Sequence, residues 1–63
     1  MFNECDVVYS KEKINEKVSL NTKGVILMVL DEHADVYEVE FVDSINETID
    51  VTEATGQQLK KLV

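Results

Sequence analysis

The only histidine of the chain, His33, lies in an acidic segment with Asp31, Glu32 and Asp35. Carboxylates and an imidazole are groups that can bind a divalent cation. However, their spacing does not match a calcium-binding loop, and no second histidine or additional cysteine completes a zinc site. We therefore interpret residues 31–35 as a solvated hairpin loop and predict neither a metal site nor a cofactor.

Catalytic chemistry finds little support in the sequence. Cys5 and His33 are the only thiol and imidazole, and nothing in their spacing brings the nucleophile and the base together. Glu38 and Glu40 are paired carboxylates, but a general acid needs burial to raise its pKa, and these two are predicted to face solvent. The chain also has no glycine-rich phosphate loop. We predict no catalytic residues and a protein that is not an enzyme.

A binding role rests on five acidic residues in two neighbouring segments. The chain carries thirteen acidic residues against six lysines, which gives a formal net charge of -7. If the two segments pair as antiparallel strands, their outward side chains lie within about 5–8 Å of one another. We predict that these residues form a continuous negative patch for a basic partner: Glu38, Glu40, Asp43, Glu47 and Asp50. The alternative is a plain solvated sheet face.

The elements that position these residues are short strands. Between residues 36 and 42, Tyr37, Val39 and Phe41 alternate with Glu38 and Glu40, which indicates a half-buried strand. Residues 25–30 are apolar at every position, as in a strand covered on both faces.

Further strands are predicted at residues 6–9, 48–52 and 60–63. Residues 10–17 are expected to form a surface loop, and residues 55–59 a turn or 3₁₀ segment. Asn46 is the residue best suited to a left-handed turn.

These elements predict one all-β domain over residues 1–63, a small five-stranded SH3-like barrel built as an antiparallel meander. The rival is an open α+β sheet with a helical C-terminal segment. The expected core is Val7, Leu20, Val25, Leu27, Val29, Tyr37, Val39, Phe41, Ile49, Val51 and Leu59. Alternatively, the apolar strand leaves Ile26, Met28 and Leu30 on the surface as a homodimer patch, so homo-oligomerisation stays open.

Composition sets the expected environment. A chain of 63 residues is one domain, and it begins without the features of a signal peptide. Its longest apolar run has six residues, far short of a membrane span. The single cysteine permits no internal disulfide. We expect a cytoplasmic protein that does not bind membranes.

The chain resembles a family of short bacterial proteins known as domain-of-unknown-function family 4926. The matching stretches run through most of the chain and include Asp6-Val7-Val8, residues 23–26 (KGVI) and residues 37–43 (YEVEFVD). Where the family has glycine-rich turns, this chain has Asn21 and Asn46, and asparagine is a common substitute where φ is positive. The resemblance implies an SH3-like barrel related to KOW-type domains, and an immunity or antitoxin role.

The leading hypothesis is a non-enzymatic binding protein, of immunity or antitoxin type, that neutralises a basic toxin such as a nuclease through its acidic surface. An alternative is a KOW-like accessory domain that binds nucleic acid or a ribonucleoprotein. The negative net charge argues against nucleic acid, since the chain offers few basic residues for it: Lys11, Lys13, Lys17, Lys60 and Lys61. A structural or phage-encoded interaction protein is the third hypothesis.

Overall fold

Residues 1–62 form five strands and one 3₁₀ turn. A computed structural model of the chain describes residues 1–62. The strands are β1 (Val7–Ser10), β2 (Lys23–Asp31), β3 (Val36–Val42), β4 (Thr48–Thr55) and β5 (Leu59–Lys61), and the 3₁₀ turn spans Gly56–Gln58. Within the described part of the chain, no helix has the length and apolar character needed to cross a membrane.

All five strands belong to one antiparallel sheet in the order β4-β3-β2-β1-β5. The two end strands of this order, β4 and β5, are separated in the chain only by the 3₁₀ turn. Strands laid flat about 4.8 Å apart would place β4 and β5 about 19 Å from each other. Four extended residue steps reach at most about 14 Å. The sheet therefore curls, so that its two end strands approach each other at the 3₁₀ turn.

The predicted all-β class is confirmed, and β1 to β4 form the expected meander. The predicted strand at residues 36–42 has the bounds of β3, whereas β4 continues three residues beyond the predicted end at residue 52. The predicted closing strand corresponds to β5, although its last residue, Val63, lies outside the described residues. Complete closure of the curled sheet into an SH3-like barrel stays a prediction.

The core lies on the concave side of the sheet and centres on β3. Tyr37, Val39 and Phe41 are fully buried, and Leu59 of β5 is buried with them, as predicted. The complete buried cluster is Val8, Val18, Ile26, Tyr37, Val39, Phe41, Ala54 and Leu59. Val29 and Ile49, also predicted for the core, pack against this cluster from half-buried positions.

The predicted inward face of β2 is wrong in its first half. Residues directly opposite each other in a ladder share a face, and Gly24 and Ile26 lie opposite Phe41 and Val39. Ile26 is therefore buried, whereas Val25 is half-buried and Leu27 is 40% exposed. The sequence does not indicate this register, because residues 25–30 include no polar residue that would mark the outer face.

The predicted inward face of β1 is also wrong by one residue. Val8 lies opposite Gly24 and is buried, whereas the predicted core residue Val7 pairs with Val25 on the outer face. In the following loop, the core receives Val18, and the predicted Leu20 is 57% exposed.

Ser10 holds the end of that loop against β1. Its side chain is fully buried, and its hydroxyl donates to the carbonyl of Ser19 (2.6 Å). The same hydroxyl oxygen accepts the backbone N–H of Thr22 (2.9 Å). The buried hydroxyl thus donates one hydrogen bond and accepts another, so its burial costs little free energy.

In β4, the predicted core residue Val51 is 48% exposed because it lies opposite Glu40 on the outer face. The β3–β4 register shifts between Phe41 and Val42, which places Ile49 between two paired positions. This irregularity explains why Ile49 reaches the core although Val51, two residues later, does not.

Two turns contain asparagine in the left-handed region, as the sequence suggests. Asn46 has a φ of 63° in the β3–β4 turn and Asn21 a φ of 64° before β2. Cys5 and Asp35 adopt the same region with φ values of 71° and 58°, which the sequence does not indicate.

Candidate functional site

An acidic strand face lies on the outer side of β3 and β4, formed by Glu38, Glu40 and Glu53. Glu38 lies directly opposite Glu53 in the antiparallel ladder, and Glu40 lies two residues further along the same face. Directly opposite side chains have Cβ atoms about 4.5–5.5 Å apart. The ladder therefore places two carboxylates side by side and a third next to them.

No lysine neutralises these carboxylates among residues 1–62. The ion pairs in this part of the chain are Lys13 Nζ to Glu16 Oε1 (3.2 Å) and Lys61 Nζ to Asp6 Oδ2 (3.7 Å). Glu40 accepts a hydrogen bond from the hydroxyl of Thr48, which is uncharged. Within residues 1–62, none of the three carboxylates of the acidic strand face is therefore paired with a lysine.

Two exposed apolar side chains flank the acidic strand face. Val51 lies opposite Glu40 on β4, and Met28 lies opposite Glu38 on β2. Both of these side chains are about half exposed, at 48% and 49%. The surface thus combines negative charge with exposed apolar area, a composition suited to a protein partner with basic and apolar side chains.

Two of the five predicted patch residues lie in the turn after β3 rather than on the sheet face. The side-chain oxygen Oδ1 of Asp43 accepts the backbone N–H groups of Ile45 (2.9 Å) and Glu47 (3.0 Å). This pattern stabilises the turn. The side chain of Glu47 is exposed beside it.

Asp50 lies on the opposite face of the sheet from Glu38 and Glu40. It pairs with the inward-facing Phe41, and its Oδ2 accepts a hydrogen bond from Nδ2 of Asn15 (2.9 Å). Asp50 therefore ties the long loop after β1 to β4. The structure brings together only Glu38 and Glu40 of the predicted five on the acidic strand face, and a partner-binding role for all five stays a prediction.

Glu53 is the member of the acidic strand face that sequence reasoning missed. The predicted fourth strand ends at residue 52, although the alternation of outward and inward residues continues to Ala54, which is buried. Extending the period of two along β4 would have placed Glu53 on the same face as Val51.

The acidic loop around His33 is a tight turn between β2 and β3. Oδ1 of Asp31 accepts the backbone N–H groups of His33 and Ala34, both at 3.0 Å. His33 itself is exposed. Throughout residues 1–62, no group of three or more His, Cys, Asp and Glu side chains is arranged to hold a metal ion.

The last residue of this turn, Asp35, accepts a hydrogen bond from the phenol of the buried Tyr37. The Tyr37 oxygen also accepts the backbone N–H of Phe2 (3.1 Å). Burial, reinforced by the hydrogen bond to the Asp35 carboxylate, raises the pKa of the Tyr37 phenol above its ordinary value of 10.0. This phenol is therefore neutral at physiological pH and acts as a structural hydrogen-bonding group.

Comparison with protein-family models, with curated proteins and with solved structures found no significant match to this chain. The resemblance to domain-of-unknown-function family 4926 accordingly stays a prediction, and the acidic strand face has to be interpreted from its own geometry.

Proposed function

We propose that this chain is a non-enzymatic binding domain that engages a basic protein through the acidic strand face. The observation that supports this proposal is the direct opposition of Glu38 and Glu53, with Glu40 beside them and no lysine paired to any of the three within residues 1–62. Like charges placed directly opposite each other on a sheet destabilise it.

A cationic partner would relieve that repulsion. Lysine or arginine side chains of the partner would lie between the carboxylates, and apolar side chains would cover Val51 and Met28. Complementary charge of this kind accelerates association and selects the partner. The net charge of -7 extends the attraction to a basic protein beyond direct contact, although the effect decays within a Debye length of about 8 Å at physiological salt.

The type of partner follows from the resemblance stated above. A protein of immunity or antitoxin type with this surface would neutralise a basic toxin, such as a nuclease, by covering it with its acidic strand face. We assign this chain a role of that kind in the bacterial cytoplasm. The proposal needs no catalytic residue, metal or cofactor on this chain.

The experiment is a pull-down from native lysate with tagged protein, at about 50 mM and about 0.5 M NaCl, followed by mass spectrometry. We expect one stoichiometric basic protein at low salt that is lost at high salt. The double variant Glu38→Lys/Glu40→Lys should fail to retain that protein although its circular dichroism spectrum is unchanged.

The matched control is Glu12→Lys/Glu16→Lys, which changes the net charge equally in the exposed loop after β1. This control should retain most of the partner. Equal loss in both double variants would reduce the effect to net charge, and undiminished capture by Glu38→Lys/Glu40→Lys would exclude the acidic strand face as the binding surface.

A further inference from the structure

Two adjacent clefts open to solvent on either side of Tyr9. The first has a volume of about 480 Å³ and lies between β1 and the turn after β3, where Lys23, Val42 and Asn46 line it. The second has a volume of about 410 Å³ and is lined by Lys60, Lys61 and Leu62. Tyr9 and Asn21 line both, so the two clefts adjoin at these residues, and together they are here called the Tyr9 groove.

The strand register concentrates lysines in the Tyr9 groove. Tyr9 lies directly opposite Lys23 of β2 on one side and Lys60 of β5 on the other. All three side chains consequently share the outer face, in one row across three strands. With Lys61, half of the six lysines of the chain line this groove, although the protein as a whole is acidic.

The charge of these lysines is largely available to a ligand. Nζ of Lys23 donates to the amide oxygen of Asn46 (3.2 Å), which is neutral, and Lys60 belongs to neither ion pair found within residues 1–62. Lys61 approaches Asp6 at 3.7 Å. Among residues 1–62, the one carboxylate lining the groove is that of Asp43, whose Oδ1 already accepts two backbone N–H groups.

We propose that the Tyr9 groove binds a short, extended acidic peptide segment. One acidic side chain of the segment would contact Lys23 and another Lys60. An apolar side chain between them would lie against the Tyr9 ring and Leu62. The two adjoining open clefts suit a chain that crosses the surface. Lysines on both sides of an aromatic ring suit an extended segment whose residues at every second position, which face the protein, are acidic, apolar and acidic in turn.

A peptide fits this protein better than a nucleic acid strand does. The sugar–phosphate backbone of a nucleic acid strand would extend well beyond the groove, where a protein with net charge -7 repels its phosphates. A peptide with two or three carboxylates interacts mainly within one Debye length, about 8 Å, where the lysines dominate. The proposal is independent of the acidic strand face, because it uses other residues and a ligand of opposite charge.

The test is a nuclear magnetic resonance titration of the isotope-labelled protein. The probe is a capped heptapeptide in which two glutamates flank a leucine at every second position and serines occupy the other positions. The comparison ligands are the same peptide with lysines in place of the glutamates and a single-stranded oligothymidylate. We expect the acidic peptide to shift the amide signals of Tyr9, Lys23 and Lys60, and these shifts to vanish near 0.5 M NaCl.

The double variant Lys23→Gln/Lys60→Gln should bind the acidic peptide about tenfold more weakly, because it loses two exposed ion pairs. The matched control Lys13→Gln/Lys17→Gln removes the same charge from the loop after β1 and should bind as the parent does. Neither variant should lose a basic partner captured by the acidic strand face, so failure of one proposal is distinguishable from failure of the other.

Three results would overturn the proposal. The first is the absence of saturable shifts in the Tyr9 groove, and the second is equal weakening by both lysine double variants. The third is tighter binding of the oligothymidylate than of the acidic peptide, which would assign the groove to nucleic acid instead.

Discussion

The phenol of Tyr37 donates a hydrogen bond to the carboxylate of Asp35, which closes the β2–β3 turn with a φ of 58°. Three separate parts of the chain meet at this pair. Phe2 donates its backbone N–H to the phenol and packs its ring edge-on against Tyr37, with centroids 5.5 Å apart. Gly56 donates its backbone N–H to the carbonyl of Asp35 (2.8 Å). The pair thus joins the N-terminal segment, β3 and the 3₁₀ turn.

Removal of the phenolic hydroxyl should destabilise the protein. In Tyr37→Phe, the N–H of Phe2 and the carboxylate of Asp35 lose a buried partner, and we expect unfolding to require roughly 1–3 kcal/mol less free energy. Urea denaturation followed by circular dichroism measures this difference. Tyr9→Phe, at a half-buried position, is the control and should change stability by less than about 0.5 kcal/mol. Equal effects of the two substitutions would contradict the structural role of this pair.

Because the pKa of Tyr37 is raised, the free energy of unfolding changes with pH in the alkaline range. Between the unfolded value of 10.0 and the higher folded value, the folded state binds more protons than the unfolded state. The stabilisation is therefore complete below pH 10.0 and is lost as the pH rises through the folded pKa. Titration of tyrosinate absorption in a Tyr9→Phe background, where Tyr37 is the only tyrosine, should give a midpoint above 10.0. A midpoint at or below 10.0 would show that the phenol is not buried as described.

The register of β2 can be tested by truncating two neighbouring residues. Ile26 is 1% exposed and Leu27 is 40% exposed, so their removal should have very different costs. We expect Ile26→Ala to lower the free energy of unfolding by about 2–5 kcal/mol and Leu27→Ala to lower it by less than about 1 kcal/mol. Chemical denaturation of both variants gives the comparison. A larger loss of unfolding free energy in Leu27→Ala than in Ile26→Ala would support the inward face that the sequence predicts.

Gly24 is required by close packing of β2 on β3. A Cβ atom at this position would lie 2.7 Å from Cγ1 of Val39 and 3.0 Å from Cδ1 of Phe41, both fully buried. Gly24→Ala should therefore overpack the core and destabilise the fold by about 1–3 kcal/mol, measured by thermal or urea unfolding. Val51→Ala, at an exposed strand position, provides the control for a strand substitution to alanine. A neutral Gly24→Ala variant would mean that the core yields without strain.

Charge repulsion on the acidic strand face predicts a stabilising substitution. Replacing Glu53 by glutamine removes the charge opposite Glu38 but keeps the size of the side chain. We expect Glu53→Gln to raise the free energy of unfolding of the isolated domain by roughly 0.2–1 kcal/mol at low salt. The gain should shrink as salt is added. Glu16→Gln, which breaks an exposed ion pair with Lys13, is the matched control and should stabilise nothing.

The sequence predicts a strand and its inward face where polar and apolar residues alternate within that strand. In β3, glutamates alternate with apolar residues, so the strand and its inward face could both be read directly. In β2, every residue from 25 to 30 is apolar, and the face is decided by Gly24 and Ile26 lying opposite Phe41 and Val39. That pairing is a tertiary fact, which a single segment does not encode.

The acidic strand face and the Tyr9 groove also differ in how far single strands of the sequence predict them. The sequence predicts the shared face of Glu38 and Glu40 correctly because these residues alternate with apolar residues within a single strand. Asp50 lies on the other face, contrary to the prediction, because the register shifts between Phe41 and Val42. The Tyr9 groove could not be predicted at all, since it depends on residues of β2 and β5 meeting on either side of β1.

The pairing of β1 with β5 also determines when the fold can be completed. Val8 and Lys61 are neighbours in the sheet although they lie near opposite ends of the described chain. During synthesis, the meander from β1 to β4 emerges first, and β1 keeps an open edge until Leu59 and the residues after it have left the ribosome. Such non-local pairing favours slow folding. Until β5 has been synthesised, that open edge exposes the nascent chain to mispairing with other strands, so β5 protects β1 from aggregation.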